Sequence, residues 1–185
     1  MEGIIIEKKA LRQQQIKKLN ENRAVTKVEA AKLLKKLQAT TAWKNAKTIA
    51  TTISSPIEVP TEIVVEAALT EGKKVYLPKC MPKRQMAFLP FTSREDLIVS
   101  DFGLSEPAYN EALVNQEPDL VIVPGLAFAK DSNYRVGFGG GYYDRFLSKY
   151  QGKTVALVPS TMEFDSADWK VEDHDVKIDQ LILMD

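Results

Sequence analysis

Short apolar runs recur along the chain, set between turn-forming clusters and stretches of helical spacing. Leu120-Val121-Ile122-Val123, closed by Pro124-Gly125, reads as a buried strand. Thr48 to Ile53, Val75 to Pro78, Thr154 to Val158 and Gln180 to Met184 read as further strands. Met86 to Phe91 and Leu97 to Val99 read as an antiparallel pair at a sheet edge. Between these lie helical patterns. Residues 4–20 predict a basic helix on which Lys8 and Arg12, four apart, share a face. Thr26-Lys27-Val28-Glu29 has the form of a capping box, opening a second helix to about Ala39 with Val28, Ala31 and Leu34 inward. Ala42-Trp43 leads into the first strand, with Trp43 as a packing residue. Thr61 to Leu69 predicts a helix stopped by Gly72. Tyr143, Leu147 and Tyr150, at i, i+4 and i+7, predict a short one. Strands and helices alternate, which argues an α/β fold: a mainly parallel sheet with helices on both faces, a single domain over residues 1–185.

Composition narrows the class without changing that picture. Apolar content of 44% and charged content of 27% are ordinary for a globular chain. The formal net charge is zero, so no global field points to nucleic acid or an anionic membrane, and small molecules are the expected partners. Local charge is uneven. Residues 1–50 hold twelve Lys/Arg against four Asp/Glu, and residues 160–185 hold two against eight. The basic end suits an anionic ligand and the acidic end a metal, unless both simply face solvent. Cys80 is the sole cysteine and has no neighbouring base to activate it, so it reads as structural. Ile4-Ile5-Ile6 is too short for a signal peptide, and no apolar run reaches membrane-spanning length. A cytoplasmic monomer is expected.

The candidate chemistry gathers in Arg135-Val136-Gly137-Phe138-Gly139-Gly140-Gly141-Tyr142-Tyr143-Asp144, a glycine turn between a strand and a helix. Glycine allows positive φ and a close backbone approach to a ligand. Helix N-terminal amides are unpaired and carry the positive end of the dipole. Together they suit phosphate oxygens. The turn fits neither common phosphate loop. A dinucleotide fingerprint from Gly137 needs glycine where Tyr142 stands, and a P-loop needs Lys after Gly141. On the residues alone, an anion-binding turn competes with a tight turn that binds nothing. Ser54-Ser55-Pro56-Ile57-Glu58 follows a strand's C-terminal end, where ligands of open α/β sheets sit. Lys79, Lys83 and Arg84 read as a basic loop that would suit an acidic tail on a ligand. His174 is the only histidine, which leaves no reason to read a Ser-His-Asp triad.

Pro124-Gly125-Leu126-Ala127-Phe128 followed by Arg135 through Leu147 resembles the signature of the 5-formyltetrahydrofolate cyclo-ligase family, also called methenyltetrahydrofolate synthetase. Lys8-Lys9-Ala10-Leu11-Arg12, Phe102-Gly103-Leu104-Ser105-Glu106-Pro107 and the stretch from His174 to Asp179 are similar to further elements of that family. The resemblance implies ATP-dependent cyclisation of 5-formyltetrahydrofolate to 5,10-methenyltetrahydrofolate, with ADP and phosphate released. It implies an ATP site of Lys8, Lys9, Ala10, Leu11, Arg12, Arg135, Val136, Gly137, Phe138, Gly139, Gly140, Gly141, Tyr142 and Tyr143. Ile53, Glu58, Phe138, Gly139, Gly140, Gly141 and Tyr142 would bind the folate. Arg135 and Tyr142 would be catalytic, and Asp144 and Asp175 would hold Mg2+. Some family members carry basic side chains where this chain has Phe138 and Gly140. The alternatives are a sugar-phosphate isomerase-like α/β enzyme, which needs no adenine site, and a folate-binding protein without turnover.

Overall fold

A computed structural model describes residues 5–185; Ile4, with which the first predicted helix begins, lies outside them. In chain order the elements are α1 (Lys8–Glu21), α2 (Arg23–Ala39), α3 (Thr41–Asn45), β1 (Thr48–Ala50), α4 (Glu62–Thr70), β2 (Lys74–Met81) and β3 (Gln85–Pro90). They continue with β4 (Ile98–Val99), β5 (Ser105–Glu106), β6 (Leu120–Ile122), β7 (Ala127–Ala129), β8 (Arg135–Val136) and α5 (Tyr142–Leu147). The last are β9 (Lys153–Leu157), β10 (Glu163–Phe164) and β11 (Gln180–Ile182).

Six strands form one sheet in the order β11-β9-β6-β1-β2-β3, all parallel except β3, which closes one edge antiparallel to β2. Successive residues of a strand face opposite sides. The chain uses that period to make two cores. Ile49, Leu120, Ile122, Val155 and Leu157 point to one side and bury Leu33, Leu37, Trp43, Val64 and Val65 from α2, α3 and α4. Ala50, Val121, Val123, Ala156 and Val158 point to the other and bury Leu19 of α1 and Leu147 of α5. Strands apolar on both faces are what a parallel sheet covered on both sides requires, and the expected α/β fold is the one observed. Trp43 is a packing residue as read: it is buried, and its indole N–H donates to Glu71 at 2.8 Å.

Several local expectations are corrected. The first helix begins at Lys8, and Ile6 instead pairs in a short bridge with Trp169. Thr26 does not cap α2. Asn22 precedes that helix, and the Thr26 hydroxyl is buried in its first turns against the Thr161 hydroxyl at 3.2 Å. Glu29 accepts from the Ser160 amide and hydroxyl at 2.8 and 2.7 Å rather than reaching back. With the helix starting earlier, its inward face is Ala30, Leu33 and Leu37, while Val28 is 79% exposed. β1 stops at Ala50, which leaves Thr51 to Ile53 in the following loop. Ile98–Val99 does not join Met86–Phe91; it pairs with Ser105–Glu106 as a separate hairpin, while Gln85–Pro90 pairs with Lys74–Met81. A second small sheet, β10-β7-β8, has strands of two or three residues, too short to leave a periodic signal.

The topology sets where a ligand fits. From β1 the chain steps to β2 on one side and later to β6 on the other, then outward to β9 and β11. The strand order therefore reverses between β1 and β6. The crevice beyond the carboxyl ends of such a strand pair is the usual ligand site of open α/β sheets.

Candidate active site

A cleft of about 550 Å³ opens at that crevice. Its walls include Thr52, Ile53, Ser55 and Glu58 from the loop after β1, and Pro124 from the loop after β6. Arg135 to Asp144 form its floor, Lys8 and Arg12 reach in from α1, and Glu172, His174 and Asp175 close one corner.

Residues 137–141 take the shape that glycine permits. Gly139 has φ +100° and Gly141 φ +70°, both left-handed conformations that a Cβ would strain. A Cβ on Gly139 would lie 3.4 Å from the Arg12 guanidinium, so α1 is pressed close to the turn. Among the described residues, none of the four amides from Phe138 to Gly141 donates a hydrogen bond within the protein. Free amides beside cations form an anion cradle. α5 contributes only its first turn, since it spans six residues and its dipole is correspondingly small.

Arg135 anchors this floor. It is 5% exposed on β8, and its Nε donates to the Pro124 carbonyl at 3.2 Å. Its Nη1 meets Asp144 Oδ1 at 3.0 Å, and the guanidinium lies 6.0 Å from the centre of the Tyr143 ring. Asp144 Oδ1 also accepts from the Val176 amide at 3.1 Å, next in sequence to Asp175. Asp175 Oδ2 in turn pairs with Lys8 and accepts from the Glu172 amide at 2.8 Å. Two acids and two cations thus meet in one corner as interlocked pairs. Arg12 donates to the Gly137 carbonyl at 2.9 Å.

Other groups lining the cleft are desolvated. Burial pushes the Glu58 carboxyl above its ordinary range, and hydrogen bonding from Ser55 only partly offsets this. Burial also raises the Tyr143 phenol, helped by the nearby Glu58 charge, and its hydroxyl has no hydrogen-bond partner among the described residues. Cys80 lines the cleft, but burial and the Glu106 carboxylate push its thiol up to about 12, so it is no nucleophile at neutral pH.

The cleft gathers the site residues that the family resemblance implies, with three exceptions. Lys9, Ala10 and Leu11 do not line it. Leu11 is buried against Ala127, Ala129, Val136 and Trp169, and Lys9 points to solvent, because only every third or fourth residue of α1 can face the turn. Lys79 is not in a loop: it lies on β2 and pairs at 2.9 Å with Glu106, whose side chain is 3% exposed. Lys83 and Arg84 sit exposed at the tip of the β2–β3 hairpin, outside the cleft lining. Sequence reasoning gave no cleft position to Leu104, Glu106, Met86 or Pro78, which reach it through the separate β4–β5 hairpin and the β2–β3 edge. The phrase Phe102 to Pro107 is the one signal for Leu104 and Glu106, and Met86 and Pro78 have none.

Among the described residues, no group of three or more His, Cys, Asp and Glu side chains could hold a metal. Asp144 and Asp175 still offer the hard oxygens that magnesium takes. Among the described residues, Asp144 Oδ2 and Asp175 Oδ1 take part in no hydrogen bond, the latter only facing His174 at 3.9 Å. Magnesium on a triphosphate usually takes one or two carboxylates, with phosphate and water oxygens completing the shell. The donor set fits that pattern.

Fold and cleft together define an α/β protein with a ligand crevice floored by glycine amides and edged by cations. Within that class its family is specific: residues 5–184 match the family model for the 5-formyltetrahydrofolate cyclo-ligase family, and the chain belongs to that family. It is 37% identical over 114 residues to the probable 5-formyltetrahydrofolate cyclo-ligase of Schizosaccharomyces pombe, covering 59% of this chain and 55% of that protein. It is 28% identical over 165 residues to the 5-formyltetrahydrofolate cyclo-ligase of Mus musculus, covering 83% and 81%. The NMR structure of 5,10-methenyltetrahydrofolate synthetase from Aquifex aeolicus superposes with a TM-score of 0.79 at 29% identity, covering 96% of this chain and 89% of that one. The alignment to the fission yeast protein takes in little more than half of that protein's length. No helix among the described residues is long and apolar enough to cross a membrane.

Proposed function

We propose that this protein is an ATP-dependent ligase that closes 5-formyltetrahydrofolate to 5,10-methenyltetrahydrofolate, releasing ADP and phosphate. The carrying observation is one cleft that joins a phosphate-suited corner to the largely buried carboxyl of Glu58. Family membership supports the reaction, and the balanced charge supports small molecules over nucleic acid or an anionic membrane as partners; a cytoplasmic monomer is part of the same proposal.

The chemistry explains the two halves. A formamide oxygen is a poor leaving group. Its attack on the γ-phosphorus forms an O–P bond and expels ADP. N10 then attacks the activated formyl carbon and loses its proton, and the C–O bond breaks to release phosphate. Phosphoryl transfer is mostly positioning and charge stabilisation. Lys8, Arg12 and Arg135, with the amides of the glycine turn, bind and orient the triphosphate. Tyr142 would act with Arg135 at the transfer step, and Phe138 lines the same cleft. Asp144 and Asp175 would hold magnesium, whose bound charge offsets that of the phosphates. Glu58 and Ile53 hold the folate, since a carboxylate can accept two hydrogen bonds from a pterin's N–H and amino group. Turnover in a mixture of protein, 5-formyltetrahydrofolate and MgATP, read as methenyltetrahydrofolate absorbance, tests this. Absorbance that rises equally without ATP, or not at all, contradicts it.

Glu58→Gln separates recognition from folding. Folate affinity should drop roughly 10- to 100-fold, as expected for losing a charge-assisted hydrogen bond, with ATP affinity unchanged. The raised carboxyl means the folded state holds the proton more tightly than the unfolded one. Stability therefore falls as pH rises from the unfolded value to the folded one, and the cost persists above it. At neutral pH the Gln variant should melt no lower than the parent. Calorimetric titration and a melt at two pH values check both statements.

A further inference from the structure

Lys8, Arg12 and Gln15 fall at i, i+4 and i+7 on one face of α1. The first two reach the cleft; Gln15 lies beyond it and is 3% exposed. Its Nε2 donates to two carbonyls from separate segments, Leu126 at 2.7 Å and Thr161 at 3.0 Å. Leu126 follows the Pro124-Gly125 pair, and the Pro124 carbonyl receives Arg135. Gln15 thus ties α1 to the same backbone segment that orients Arg135.

The apolar hold on α1 is thin: only Leu11 and Leu19 accompany Gln15 among its buried residues. At the turn Arg12 lies against Gly139 and donates to the Gly137 carbonyl at 2.9 Å, so a shift of the helix would move its guanidinium relative to the glycine amides. A buried amide held at two points fixes both rotation and translation of a helix, which apolar contacts alone leave softer. We infer that Gln15 is a positioning residue for the phosphate end of the site, acting through Arg12. This rests on the reading of that end as an ATP site.

The test is a double-mutant cycle with Gln15→Met, which keeps length and helix propensity, and Arg12→Ala. In the parent background, Gln15→Met should raise the KM for ATP about tenfold, on the scale of two lost buried hydrogen bonds. The Kd for 5-formyltetrahydrofolate should stay within about twofold, a split that a general loss of stability would not produce. In the Arg12→Ala background the same substitution should cost clearly less, the remainder passing through Lys8 on the same helix face. Gln15→Asn, too short to reach both carbonyls, should repeat the ATP-specific loss and guards against misfolding of the first variant. Equal weakening of both ligands, or an undiminished effect without Arg12, overturns the inference. A parent protein that binds folate but not ATP counts against the proposed function instead.

Discussion

Arg135→Ala should lower turnover by roughly a hundredfold or more, the scale of losing one donor to transition-state charge. The side chain is nearly the most enclosed charge in the cleft. It is tied at Nε to Pro124 and at Nη1 to Asp144, which makes it a fixed cation rather than a mobile one. A fixed planar cation needs no reorganisation as charge develops on a transferring phosphoryl group. The substitution also strips Asp144 of its partner, so some stability goes with it. Arg135→Lys separates the two effects. It keeps a charge near Asp144 but cannot reproduce the fork, so it should melt close to the parent while turnover remains at least tenfold down. Rapid-mix kinetics beside a thermal melt gives both numbers. Turnover within a few-fold of the parent in a folded Arg135→Ala protein would remove the residue from the chemistry.

Asp175→Asn should change the magnesium requirement in one direction and binding of metal-free ATP in the other. Asp175 is paired with Lys8, and Asp144 with Arg135, so each acid read as a metal ligand neutralises a cation read as a phosphate ligand. Without metal, incoming phosphates must compete with the acids for the cations. A bound metal would draw on the same two acids and so weaken their hold on the cations, leaving Lys8 and Arg135 more available to the phosphates. Asp175→Asn frees Lys8, so ATP in the presence of a chelator should bind more tightly than to the parent. The magnesium concentration for half-maximal activity should rise on the order of tenfold or more, and excess magnesium should partly restore activity. Asp144→Asn should shift the magnesium curve likewise. Titration calorimetry with and without chelator reads the first effect and activity against magnesium the second. A parent-like magnesium curve with a lower melting temperature would make either aspartate purely structural.

The sheet was legible because parallel strands buried on both faces are plain apolar runs, as Leu120 to Val123 illustrates. The glycine turn was legible because the positive φ of Gly139 and Gly141 strongly favours glycine, and four glycines within five residues stand out in any sequence. Lys8 and Arg12 could be put on one face by helical spacing alone, and the cleft does receive both. What failed depended on partners far away in sequence. Thr26 and Glu29 have the spacing of a cap, yet their side chains are used by Thr161 and Ser160, 135 and 131 residues on. Lys79 looked like a free cation because nothing local reveals Glu106, 27 residues away. The β4–β5 hairpin and the β7, β8 and β10 strands are too short for a period of two to register. The pairing of the two aspartates with the two cations was also invisible, since each was read on its own segment.

The route of the oxygen atom separates the proposed reaction from the alternatives. With 5-formyltetrahydrofolate labelled with oxygen-18 in its formyl group, the protein and MgATP should release phosphate carrying that label, in equal amounts with ADP and methenyltetrahydrofolate. Direct transfer of the γ-phosphoryl group to the formyl oxygen requires this outcome. Unlabelled phosphate accompanying the same product would mean that water, not the formyl oxygen, attacks ATP, and would contradict the arrangement of Arg135, the glycine turn and Glu58 around one shared transfer step.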